Sequence, residues 1–135
     1  MKRRFSSTLI AAALLLAQAL APSKAYAATG NYDFYPTTNA NNLDSHSVSK
    51  AGGSLYENCA YITPSYFSKT GSVRFWVEGN NVTTEKKIIS SGGVNVTRYL
   101  YYTSSAPTGG SYYVGGRVTT ISSGTSMRVK GAFTP

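Results

Sequence analysis

The stretch Ser72-Val73-Arg74-Phe75-Trp76-Val77-Glu78 constrains the fold more than any other part of the chain. Side chains alternate across an extended strand, so Val73, Phe75 and Val77 fall on one face and Arg74, Trp76 and Glu78 on the other. A helix would scatter the same apolar residues around its circumference. Gly79-Asn80-Asn81 follows at once, and because Gly and Asn tolerate positive φ the strand is expected to turn there. Beyond residue 27 no window holds a sustained apolar pattern at helical spacing. Short runs rich in Val, Ile, Thr, Tyr and Phe alternate instead with clusters of Gly, Ser, Asn and Pro, the pattern of an all-β chain.

Other segments repeat the theme. Residues 94–103 read as a strand with Val94, Val96, Leu100 and Tyr102 on one face and Asn95, Thr97, Tyr99, Tyr101 and Thr103 on the other. Arg98 falls on the apolar face, which implies either a bulge that reverses the facing or a guanidinium reaching an edge or a carboxylate. After a loop over 104–110, residues 112–121 return as a strand whose Gly115-Gly116 pair predicts a bulge or tight bend. Met127, Val129 and Phe133 share a parity in the last strand, with Arg128 and Lys130 facing out. Residues 55–63 and 85–89 read as strands, and 31–35 as a short one ended by Pro36. The polar stretch 36–54 reads as a long loop or a ragged edge strand around Val48. About seven strands at this spacing predict a single antiparallel β-sandwich, immunoglobulin-like or jelly-roll in style. The tight Gly-centred connections of the second half predict a meander. No Cys…Trp…Cys pattern supports a true immunoglobulin domain.

The first 27 residues have another character. Lys2-Arg3-Arg4 is a basic n-region, residues 9–20 are an apolar stretch of 12, and Ala25-Tyr26-Ala27 has the small-x-small pattern of a cleavage site. Twelve apolar residues fall short of the roughly 20 needed to cross a bilayer. A cleaved signal peptide over 1–27 and a secreted domain over 28–135 are therefore expected, in an extracellular and bacterial setting. Four of the 13 basic residues lie in the leader, leaving nine against five acids and a net charge of +4 in place of +8. A chain of 108 residues has room for one core and excludes a multi-lobed enzyme.

Catalytic groups are scarce. Cys59 is the single cysteine, so no intramolecular disulfide forms, and the choice lies between a buried thiol in a monomer and a Cys59-linked dimer. His46 is the single histidine, too few with Cys59 for a zinc site. Asp44-Ser45-His46 holds the residue types of a hydrolase triad, but triad members converge from separated segments. The five carboxylates, Asp33, Asp44, Glu57, Glu78 and Glu85, read as partners for the basic residues. No phosphate-cradling loop is present. The modest, dispersed charge does not suit nucleic acid. No enzyme activity, metal or cofactor is expected.

Aromatic residues stand out. Ten Tyr, four Phe and one Trp remain after processing, 15 of 108 residues, and several occupy the non-core parity of their strands. Tyr and Trp give large, rigid contact area with a polar handle. Arg74, Trp76, Tyr99 and Tyr101 are the candidate binding residues. The function they point to is a secreted, non-catalytic binding protein engaging cell-wall polymer, carbohydrate or a protein partner through an aromatic-rich sheet face. Two alternatives remain: a membrane-active, bacteriocin-like toxin inserting a hairpin formed by 94–121, and a small extracellular hydrolase or a hydrolase inhibitor presenting the Pro107 loop.

Overall fold

A computed structural model describes residues 28–51 and 58–135; the leader expected over 1–27, and residues 55–57 of the strand expected over 55–63, lie outside the described residues. The described residues form nine strands: β1 (Gly30–Phe34), β2 (Asn42–Lys50), β3 (Cys59–Phe67), β4 (Gly71–Gly79), β5 (Val82–Thr83), β6 (Lys87–Ser90), β7 (Arg98–Tyr101), β8 (Gly109–Ile121) and β9 (Val129–Thr134). One short 3-10 turn, Ser91–Gly93, links β6 to β7. The strands make two antiparallel sheets. The first has the order β1-β9-β3-β7; the second runs β2-β8-β4, with β5 and β6 both paired to the far edge of β4.

The chain changes sheet at every connection except those joining β4, β5 and β6. This corrects the expected meander. Three residues, Ser68 to Thr70, suffice to carry the chain from β3 to β4, because an extended trio spans the roughly 10 Å between packed sheets. A short connection therefore does not imply a hairpin. Nor do residues 94–121 form one: β7 pairs with β3 in the first sheet, whereas β8 pairs with β2 and β4 in the second.

Between the sheets lies one buried cluster. Val73, Phe75 and Val77 of β4 are wholly buried, as their alternation predicts, together with Val114 and Val118 of β8 and Ile89 of β6. Tyr32, Phe34, Ile62, Leu100, Val129 and Phe133 meet them from the first sheet. Rings bridge the gap, with Tyr32 and Phe75 centroids 5.9 Å apart and Tyr102 and Tyr112 5.8 Å apart. Full burial of each large aliphatic side chain contributes about 1.5–3 kcal/mol.

Local chemistry explains where strands begin and end. Asn80 and Asn81 take φ of 51° and 61°, the paired positive values a two-residue type I′ hairpin requires, and they join β4 to β5. The strand expected over 94–103 is shorter, because Asn95 adopts φ of 60° and donates its N–H to the Pro64 carbonyl at 2.6 Å. Val96, expected in the core, is 46% exposed. That same bond shows how β3 accommodates a proline: its N–H-less side faces the loop before β7. Arg98 opens β7 with no register shift against β3, so the facing is not reversed; the side chain leaves at the edge of the sheet, partly buried. β2 is the ragged edge strand, with register breaks between Leu43 and Ser47 and between Ser49 and Lys50.

The irregularity that Gly115 and Gly116 announce lies on one side only: a register break in β2 begins at the Leu43–Gly115 pair, whereas the ladder with β4 is regular there. They stay in register with Trp76 and Phe75. A Cβ on Gly115 would overlap the Trp76 indole, and one on Gly116 would come within 2.8 Å of the Phe34 ring. The pair seats one ring on each face of the sheet.

Candidate functional site

The outer face of the first sheet is built from residues of one parity. On β3 and β7 it carries Tyr61, Tyr99 and Tyr101, because Ala60, Ile62 and Leu100 point inward. Tyr61 and Tyr99 are direct cross-strand partners whose rings meet edge to face at 5.0 Å. A register shift between Pro64 and Tyr66 lets β3 skip one residue, so Tyr66 also faces out, opposite Lys130. Tyr35 continues the outward parity of Asn31 and Asp33 just past β1. Tyr35, Tyr66, Tyr99 and Tyr101 are 46–59% exposed.

A charged centre separates the tyrosines. The Arg128 guanidinium donates Nε–H and Nη2–H to the two Asp33 carboxylate oxygens, both at 2.8 Å, and Lys130 Nζ lies 3.5 Å away. Hydrogen bonding from Arg128, helped by the positive charges of Arg128 and Lys130, holds the Asp33 carboxyl below the usual carboxylate range. The same bond pushes Arg128 up. These cations also lie against rings, with Arg128 5.7 Å from the Tyr35 centroid and Lys130 6.0 Å from that of Tyr66. A recess of about 410 Å³ opens here, edged by Asn31, Asp33, Thr63, Ser65 and Lys130. The Thr63 and Thr97 hydroxyls are hydrogen-bonded to each other at 2.8 Å nearby. The face thus offers rings, hydroxyls and one ion-paired cluster.

Of the four residues singled out from the sequence, Tyr99 and Tyr101 belong to this surface. Arg74 and Trp76 do not: they lie on β4, on the outer face of the other sheet. Trp76, expected to be open to a ligand, is only 2% exposed. Its indole lies on Gly115, its Nε1–H donates to Glu78 Oε2 at 2.6 Å, and Lys86 Nζ sits 4.7 Å from the ring centroid. Alternation within a strand says which side a residue takes. It does not say whether that side is covered. Tyr35, Tyr61 and Tyr66 were missed because their facing depends on a proline-ended strand, on a cross-strand partner and on a register shift.

The remaining chemistry is sparse. His46 Nδ1 lies 3.3 Å from both carboxylate oxygens of the buried Asp44, and Ser45 bonds to neither. Cys59 is 8% exposed, and the Pro107 carbonyl accepts the Tyr112 hydroxyl at 2.8 Å, which ties the 104–110 loop to β8. Among the described residues no three His, Cys, Asp or Glu gather, and no helix is long and apolar enough to cross a membrane. The chain matches no known family, and no characterised protein or solved structure is significantly similar to it.

Proposed function

We propose that this chain is a secreted, non-catalytic binding protein of bacterial type, built as a jelly roll, whose tyrosine-rich sheet face engages the carbohydrate of a cell-wall polymer. The observation that carries this reading is the gathering of Tyr35, Tyr61, Tyr66, Tyr99 and Tyr101 on one sheet surface, four of them about half exposed. The apolar faces of sugar rings stack on such aromatic rings, while Thr63, Ser65 and Asn31 supply hydroxyl and amide partners for the sugar hydroxyls. A broad sheet face suits a polymer better than an enclosed pocket would.

Jelly-roll style is preferred over immunoglobulin-like style on strand order. First and last strands are interleaved, β1 beside β9 and β2 beside β8, and most connections cross between sheets. Lectins are among the proteins built this way, an analogy of fold and not of site. Export rests on the Lys2-Arg3-Arg4, apolar and Ala25-Tyr26-Ala27 pattern of the leader.

The test is retention of the purified 28–135 protein on insoluble peptidoglycan and on neutral polysaccharide. Tyr99→Ala with Tyr101→Ala is expected to weaken retention at least tenfold, the scale of losing contact residues worth over about 1.4 kcal/mol. The melting midpoint should barely move. Unchanged retention in the double variant would sink the reading; loss of a protein partner instead would redirect it to protein recognition.

A further inference from the structure

The opposite face of the molecule carries a charge arrangement that the tyrosine surface does not explain. Arg74 of β4 and Arg117 of β8 are direct cross-strand partners, both exposed on the outer face of the second sheet. Such pairs stand with Cβ atoms about 4.5–5.5 Å apart, where like charges repel. A neighbouring carboxylate would relieve the repulsion, yet neither guanidinium joins an ion pair among the described residues. The described carboxylates are engaged elsewhere: Asp33 with Arg128 and Lys130, Asp44 with His46, Glu85 with Lys87 and Glu78 with the Trp76 indole. Arg117 is also held in place. Its Nε–H donates to the Thr38 carbonyl at 3.1 Å, which leaves the terminal amino groups to meet something else.

The rest of the face adds to this. Ile88, across from Arg74 on β6, is 56% exposed, and Lys86 lies over Trp76 with no ion pair to a carboxylate among the described residues. Three cations and an exposed apolar side chain therefore share one sheet surface with, among the described residues, a single carboxylate, Glu78, which is taken up by the Trp76 indole. We propose that Arg74 and Arg117 clamp an oxyanion, and that together with Lys86 they bind an extended extracellular polymer carrying recurring phosphate or carboxylate groups. Each guanidinium presents a planar fork of N–H donors that matches either anion, and an anion between the two turns their repulsion into attraction. Cations spread along a sheet surface suit recurring charges on a chain better than a single small anion.

The probes are long-chain polyphosphate and polygalacturonate, with neutral dextran as control, titrated calorimetrically into the 28–135 protein at low and at physiological salt. Binding is expected to at least one polyanion, weaker at higher salt, and the arm that binds identifies the anionic group. Arg74→Gln with Arg117→Gln is expected to lower affinity at least tenfold with little change in the melting midpoint, since relief of the repulsive pair offsets loss of the exposed Arg117–Thr38 hydrogen bond. Lys130→Gln, on the tyrosine face, should change affinity less than twofold. Equal weakening by Lys130→Gln and Arg74→Gln would mean attraction by overall charge, and would overturn the site. So would absence of binding to both polyanions at millimolar monomer concentration. Tyr99→Ala with Tyr101→Ala should leave polyanion binding intact, so failure on one face is distinguishable from failure on the other.

Discussion

Gly115 and Tyr32 show how single positions set the two layers of this molecule. An added methyl at Gly115 meets the Trp76 indole and cannot be absorbed by a flexible chain end, because the ring is fixed by Glu78 and covered by Lys86. Gly115→Ala is therefore expected to destabilise by about 1–3 kcal/mol, the usual range for overpacking, as read by urea unfolding. A rise in Trp76 fluorescence exposure should accompany it. Tyr32 is the reverse case. It is 1% exposed, and its hydroxyl lacks a hydrogen-bond partner among the described residues. Burial pushes the phenol far above its ordinary value. Such a raised pKa leaves stability whole below the unfolded value of about 10 and erodes it as pH rises beyond. Tyr32→Phe should gain up to about 1 kcal/mol at neutral pH, because an unsatisfied buried hydroxyl is removed. It should also flatten the decline of the melting midpoint between pH 9 and pH 11.

The strands test how much of an element is written in its own residues. β4 is nearly complete in its sequence: three buried side chains on one parity, polar and aromatic ones on the other, and a Gly-Asn-Asn exit. Asn81→Val should destabilise by about 1–2 kcal/mol, since a β-branched residue resists φ of 61°, whereas Asn81→Gly should hold or raise the melting midpoint. β7 is less legible. Its alternation runs from Val94, but the left-handed Asn95 removes the first four residues from the sheet. The Gly115-Gly116 pair was visible as an anomaly in a strand, yet close ring approach and bulging leave the same trace in sequence. For the candidate site, Tyr99 and Tyr101 were legible by parity; the separation of Arg74 and Trp76 from them was not, because parity fixes a side only within one sheet.

At the scale of the whole molecule, sheet membership is settled by pairing between distant segments. β1 needs β9, and β2 needs β8, before either sheet is complete. Non-local pairing of this kind folds slowly, because the entropy of closing long loops is lost before the contacts form. Stopped-flow refolding, followed by Trp76 fluorescence, is expected in the millisecond-to-second range; a microsecond phase carrying the full amplitude would contradict this topology. The adjacency of β1 and β9 has a mechanical side. Thr29 and Thr134 touch through their hydroxyls at 2.8 Å, and Gly30 stands opposite Phe133. A load drawn between those two points would strip the β1–β9 ladder one rung at a time, as a zip opens, instead of shearing all its bonds together. A molecule tethered at both of these neighbours would yield to gentle tension while remaining firm against a pull across its width.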